Sequence, residues 1–142
     1  MPVRKASAVW EGDLKSGKGN IELSSGAFKG AYSFMTRFES APGTNPEELL
    51  GAAHAACFSM ALSHMLALGG HTPKRVATTA DVSIDKVGDG FKITKIVLHC
   101  QASVPGIDQK AFLDTATKAK AGCPVSQALA ATPIELDATL LA

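Results

Sequence analysis

Asn45-Pro46-Glu47-Glu48-Leu49-Leu50-Gly51-Ala52-Ala53-His54-Ala55-Ala56-Cys57-Phe58-Ser59-Met60, running on to Gly69-Gly70, is the stretch that decides the fold. Thr44 or Asn45 can cap a helix here, Pro46 suits its first turn, and Glu47 and Glu48 complement the positive end of its dipole. The pattern predicts a helix from Glu47 to about Leu68, stopped by Gly69-Gly70. Leu50, Ala53, His54, Cys57, Met60, Ala61, His64 and Leu68 recur at helical intervals on one side. Small and apolar residues surround almost the whole circumference, so the helix is expected to be central and buried on most faces. His54, Ser59, Ser63 and His64 favour a buried core helix over a membrane span. At ~1.5 Å per residue the rod is roughly 33 Å long. One chain's sheet covers one face of such a rod, so a homodimer with helix 47–68 at its centre is expected.

Working outward, the 142 residues fit a single domain, 1–142. A formal net charge of +1, with no basic run or interleaved aromatics, speaks against nucleic-acid binding. Three scattered cysteines are too few for a secreted disulfide framework. The first ten residues lack the apolar centre of a signal peptide, and a cytoplasmic location is the expectation. Strands are expected at Ala6–Glu11, Asn20–Ser24, Tyr32–Phe38, Arg75–Val87, Phe91–Val104 and Pro133–Leu141, with a hairpin turn at Asp89-Gly90. Further helices are expected at Asp108–Lys120, with Gly122 ending it, and at Pro124–Ala130. This order is α+β with antiparallel sheet rather than a βαβ winding.

Three cysteines and their neighbours hold the candidate chemistry. Cys123 stands in Gly122-Cys123-Pro124 at a helix start, where unpaired N–H groups favour a thiolate. Cys57 is a second candidate, and together they suggest one thiol that attacks and one that resolves. The plain alternative for either is a buried structural thiol. Cys100, in strand with Ile96 and Leu98, reads as core filling. His54 lies one helical turn before Cys57, so a Cys-His nucleophile pair competes with a merely hydrogen-bonded histidine. A metal site of His54, Cys57 and His64 has the wrong spacing and lacks a fourth ligand. Arg37, among aromatics, is either solvent-facing or paired in a pocket, and Glu47 is by default a charge at a helix start.

Thr44-Asn45-Pro46-Glu47-Glu48-Leu49 leading to Ala53-His54-Ala55-Ala56-Cys57-Phe58-Ser59-Met60, followed by Lys118-Ala119-Lys120-Ala121-Gly122-Cys123-Pro124-Val125-Ser126, resembles the OsmC branch of the OsmC/Ohr family. Trp10–Lys15, Thr36-Arg37-Phe38-Glu39 and Thr79–Val87 are similar as well. The resemblance covers essentially the whole chain. It implies an OsmC-like fold, antiparallel sheets wrapped around a long central helix, in an intertwined homodimer with sites at the interface. It implies a thiol peroxidase that reduces organic hydroperoxides, and hydrogen peroxide less well, in osmotic or oxidative stress defence. No metal, haem or other cofactor is implied, and no nucleic acid or membrane partner.

Carried over, Cys57 is the peroxidatic thiol and Cys123 the resolving thiol, joined in a disulfide after turnover, with Arg37 and Glu47 as the polar partners of Cys57. A dithiol of lipoyl type is the implied reductant. Phe58 and Met60 are the apolar neighbours expected to favour lipophilic substrates. On a continuous helix Glu47 and Cys57 are about 15 Å apart, so Glu47 is expected to serve the Cys57 of a second copy. A ligand-binding dimer with oxidation-sensing cysteines, and a Cys-His hydrolase using His54, are the competing functions.

Overall fold

The computed structural model describes residues 1–141, which form two compact units, Met1–Leu49 and the chain from Leu50 onward. In the first unit β1 (Ala6–Glu11), β2 (Lys18–Leu23) and β3 (Lys29–Tyr32) form an antiparallel meander in chain order. The single-turn helix α1 (Phe34–Phe38) follows. The strand expected over Tyr32–Phe38 is therefore corrected, since β3 ends at Tyr32. Aromatic composition argued for a strand, but local hydrogen bonding decides otherwise. Ser33 Oγ accepts from the Thr36 N–H at 3.2 Å, and Thr36 Oγ1 accepts from the Ser33 N–H at 2.8 Å. This reciprocal cap satisfies two helix-start donors that a strand would leave to a neighbour.

α2 (Pro46–Leu68) follows, capped by Asn45, whose Oδ1 accepts from the Glu48 N–H at 2.7 Å. In the second unit β4 (Arg75–Val87), β5 (Gly90–Ser103) and β6 (Ile134–Leu140) form a sheet in that order. The helices α3 (Gln109–Gly122) and α4 (Pro124–Ala128) lie between β5 and β6 in the chain. The β4–β5 turn is Gly88-Asp89, one residue earlier than expected, because Gly88 takes the positive φ of +61° and Gly90 already pairs with Val87. β6 pairs with β5 in parallel, so this sheet is mixed where an antiparallel one was expected. Two helices return the chain to the middle of β5, beside Ile96, and a strand entering there runs the same way.

β5 is the centre of the second unit. Its alternation buries Ile96, Leu98, Cys100 and Ala102, which pack with Phe58, Leu62 and Leu66 of α2 and Phe112, Ala116 and Ala119 of α3. Cys100 is core filling, as its strand position suggested. α2 touches β4 closely at Gly51, where a Cβ would lie 3.4 Å from the Ala80 carbonyl and from Val82. Its buried stripe is Gly51, His54, Phe58, Leu62 and Leu66, not the side expected from the sequence. Ala53, Met60, His64 and Leu68, placed on that side, are exposed. Nor is the helix enclosed on most faces by its own chain. Length and apolar composition would let α2 cross a bilayer.

His99 staples the three strands on the outer face. Its Nε2 lies 2.9 Å from Asp81 Oδ2 on β4 and its Nδ1 3.3 Å from Asp137 Oδ2 on β6. The hydrogen bonds to Asp137 and then Asp81 hold its pKa above the ordinary imidazole value. A raised folded-state value stabilises fully below the unfolded value near 6.5, roughly, and the gain is lost as pH climbs through the raised value. The melting-temperature gap between the natural chain and His99→Gln should be widest near pH 5.5 and close by about pH 9. A gap that is flat with pH in calorimetry would show that the imidazolium does not hold the strands.

Candidate active site

The first unit builds a corner around Arg37 and Glu47. Asn45 Nδ2 donates to the Thr36 carbonyl at 2.9 Å, and the Thr44 N–H donates to the Ala31 carbonyl at 3.0 Å. Gly43 turns the chain at φ +140°, where a Cβ would sit 2.8 Å from Thr36 Cγ2. Asn45 thus caps α2 with one end of its amide and ties down α1 with the other. The result is a fixed approach of Arg37 to Glu47. Nε donates to Oε1 at 3.0 Å and Nη2 to Oε2 at 2.9 Å. Both oxygens of Glu47 are engaged in a planar, two-pronged pair. The carboxylate is buried while the Arg37 side chain stays 36% exposed, and Nη1 enters neither of the two bonds to Glu47. The sequence reading of Arg37 as paired in a pocket is the one the structure follows.

Beside Arg37 lies a cleft of about 220 Å³ lined by Trp10, Leu14, Tyr32, Phe34 and Phe38. Trp10 and Tyr32 pack with ring centroids 5.4 Å apart, Phe34 and Phe38 with centroids 5.0 Å apart. Arg37 also stacks 5.3 Å from the Phe38 ring. Sequence reasoning missed this cleft. Its members come from three elements and one loop, so no periodicity gathers them.

The second unit brings Cys57 and Cys123 together. Cys123 is buried, ends α3 and caps α4. Its Sγ accepts from the Ser126 N–H at 3.3 Å and donates to Ser126 Oγ at 3.2 Å. Cys57, half-buried on α2, neighbours the Cys123 side chain and the Val125 N–H closely enough for both to act on its ionisation. Burial, and then the neighbouring Cys123, push the Cys57 thiol above its ordinary pKa, while the Val125 N–H opposes them. Within its own chain Cys57 is thus biased towards the thiol.

His54 does not pair with Cys57. It is fully buried, and its Nε2 lies 2.7 Å from Ser126 Oγ. Phe58, expected at a substrate, fills the core with no exposed surface, because it falls on the buried stripe of α2. Met60 is 75% exposed and lines a different hollow with His64 and Arg75. Phe58 packs in the same core cluster as Cys123, on the side away from solvent, so it offers no surface to a substrate. Ser126 was missed too, although a cysteine cap three residues before a serine was there to be read.

Arg37→Ala should leave the buried Glu47 carboxylate alone and cost about 1–3 kcal/mol in urea unfolding. Adding Glu47→Gln should recover part of that loss. Equal stabilities of Arg37→Ala with and without Glu47→Gln would show the two side chains to be uncoupled.

Comparison with known proteins bears on these pairs. The family described as OsmC-like protein matches residues 39–138, which include Glu47 and both cysteines of the pair. Peroxiredoxin OsmC of Escherichia coli (strain K12) is 59% identical over 135 residues, 94% of each chain. The organic hydroperoxide resistance protein of Xanthomonas axonopodis pv. citri (strain 306) is 35% identical over 99 residues, covering 69% of this chain and 66% of that one. Among solved structures, an OsmC like protein from Mycoplasma pneumoniae superposes with a TM-score of 0.76 at 17% identity, over 99% of both chains. The organic hydroperoxide resistance protein OhrB of Bacillus subtilis superposes with a TM-score of 0.70 at 23% identity, over 96% of this chain and 98% of that one. The structural likenesses establish the fold, and the sequence matches establish the lineage. The chain belongs to the OsmC-like protein family, in the OsmC branch of the OsmC/Ohr group.

Proposed function

We propose that this chain is a cysteine-based thiol peroxidase that reduces organic hydroperoxides, and hydrogen peroxide more weakly, to alcohols in stress defence. The observation that carries the reading is the packing of Cys57 against the core that holds Cys123, inside one unit and close enough for each thiol to act on the other. The relatives named peroxiredoxin and organic hydroperoxide resistance protein support it. The Cys57 thiolate attacks the distal peroxide oxygen, the O–O bond breaks, and the alkoxide leaves and takes a proton to become the alcohol. Cys57 is then a sulfenic acid. Cys123 attacks that sulfur, the S–O bond breaks, and water leaves behind a disulfide. A dithiol, of lipoyl type in this proposal, restores both thiols by exchange in the cytoplasm.

Thiolate supply limits this chemistry. An ordinary cysteine is roughly 3% ionised at pH 7, and burial takes Cys57 lower. A fixed cation at the sulfur is therefore needed, and Arg37 supplies it, held by Glu47. The same guanidinium stabilises the departing alkoxide, an effect of the kind worth about 10²–10³ in rate. Glu47 and Cys57 are separated by about 15 Å of helix rise, so Arg37 and Glu47 act on the Cys57 of a second copy. Ala52, Ala53, Ala56, Met60, Ala67 and Leu68 are the exposed apolar residues of α2 that this homodimer covers. The aromatic cleft beside Arg37, rather than Phe58 and Met60, receives the organic group.

Reduced protein mixed with one equivalent of cumene hydroperoxide should lose two thiols per chain. Cys57→Ser should lose none, and Cys123→Ser should lose one and still release one equivalent of alcohol. No thiol loss in the unsubstituted chain would reject the peroxidase and favour ligand binding. Iodoacetamide labelling of Cys57 against pH tests the arginine. Arg37→Ala should move the half-maximum up by about one unit, and an unmoved curve would remove Arg37 from the thiolate.

A further inference from the structure

His54 is a buried group that the chemistry above leaves idle. It has no exposed surface, and it sits on the α2 stripe whose other large members are Phe58, Leu62 and Leu66. Among the described residues its Nδ1 is buried with no hydrogen-bond partner. A half-satisfied imidazole in a core costs more than an aliphatic side chain would. Packing alone therefore gives no reason for it.

Its other nitrogen points to a reason. Nε2 meets Ser126 Oγ at 2.7 Å, and Ser126, itself 4% exposed, accepts from Cys123 Sγ at 3.2 Å. A serine hydroxyl has one hydrogen to give. Since its oxygen takes the Cys123 proton, that hydrogen goes to His54. The chain of donors runs S–H to O–H to Nε2, with the lone pair of His54 at its end. Burial alone lowers the imidazole pKa, with no charged neighbour contributing, so the ring is neutral at pH 7 and able to accept.

We propose that His54, acting through Ser126, is the positioning residue that drains the proton from Cys123 as it attacks the Cys57 sulfenate. In that step the Cys123–Cys57 S–S bond forms and the Cys57 S–O bond breaks. The Cys123 proton passes to Ser126, whose own proton passes to His54 Nε2. The departing hydroxide takes a proton from solvent and leaves as water, and His54 later returns its proton to solvent. The Cys123 sulfur is oxidised and the Cys57 sulfur reduced to the disulfide level. This inference rests on the peroxidase reading for its substrate, but not for its geometry.

The test separates two steps in Ser126→Ala, Ser126→Thr and His54→Gln, each checked by circular dichroism. Glutamine can still hydrogen-bond Ser126 but cannot take its proton. After one equivalent of cumene hydroperoxide, dimedone trapping and mass spectrometry follow the Cys57 sulfenate. Ser126→Ala and His54→Gln should form the sulfenate within about twofold of the natural rate and close the disulfide at least about tenfold more slowly. Ser126→Thr should restore closure. Closure within twofold in both slow variants, or equal slowing of both steps, overturns the relay. Diamide, which loads Cys57 as a sulfenylhydrazide without a peroxide, lets Cys123 make the same attack and form the same S–S bond, with the S–N bond breaking and a hydrazine leaving. If the peroxide consumes no thiol, the peroxidase reading fails. Slow diamide-driven closure in Ser126→Ala and His54→Gln then still sustains the relay, and unchanged closure overturns it.

Discussion

Two successive backbone N–H groups, of Val125 and Ser126, each reach one sulfur, Cys57 and Cys123 respectively. Everything in the thiol pair depends on that arrangement. The same cysteine that ends α3 begins α4, so one side chain closes a helix, opens the next and carries the chemistry. A cap is ordinarily an oxygen accepting from the first turn. Here a sulfur fills the role, and its hydrogen-bond partners fix its position before any oxidant arrives. Pro124 at the first helical position supplies the dihedral this start requires and has no N–H of its own to satisfy.

The two units solve opposite electrostatic problems. Around Cys57, burial disfavours charge, which keeps a resting thiol from ionising. Around Arg37, a buried carboxylate holds the guanidinium in one orientation and leaves Nη1 outside the pair. The neutralising partner is complete on one side only. In the proposed dimer an anion arriving at Nη1, thiolate or alkoxide, meets a cation that needs no reorganisation. Phe38 beneath the guanidinium adds apolar support without competing for its donors.

Much of this was legible in residues. The α2 boundaries, with the stop at Gly69-Gly70, are local signals and were read to within a residue, and of the two caps offered, Thr44 and Asn45, the structure uses Asn45. The alternation that buries Cys100 was legible as well, while α3 was placed from Asp108, which the structure makes its cap. The buried stripe of α2 was not legible, because small residues on every side give the helix no directional pattern to read. α1 was lost to its aromatics, although Ser33 and Thr36 stood at capping distance. The parallel entry of β6 depends on where α3 and α4 return the chain, which no residue of β6 itself encodes. Arg37, Glu47, Cys57 and Cys123 were named from motifs. Their grouping into two pairs came with the same motifs; the distances within the Arg37–Glu47 pair, and the Ser126–His54 extension of the thiol pair, required coordinates.

The parallel pairing of β6 has a consequence for how the site comes into being. β4 and β5 are neighbours in sequence and close across a two-residue turn, whereas β6 joins β5 only after the whole α3–α4 segment has folded back. Short loops close at less entropic cost and sooner than long ones. During synthesis α2 and the hairpin emerge first, and Cys57 leaves the ribosome well ahead of Cys123. Closing the thiol pair therefore waits on the synthesis of the whole β4–β5 hairpin and α3, which lie between the two cysteines in the chain.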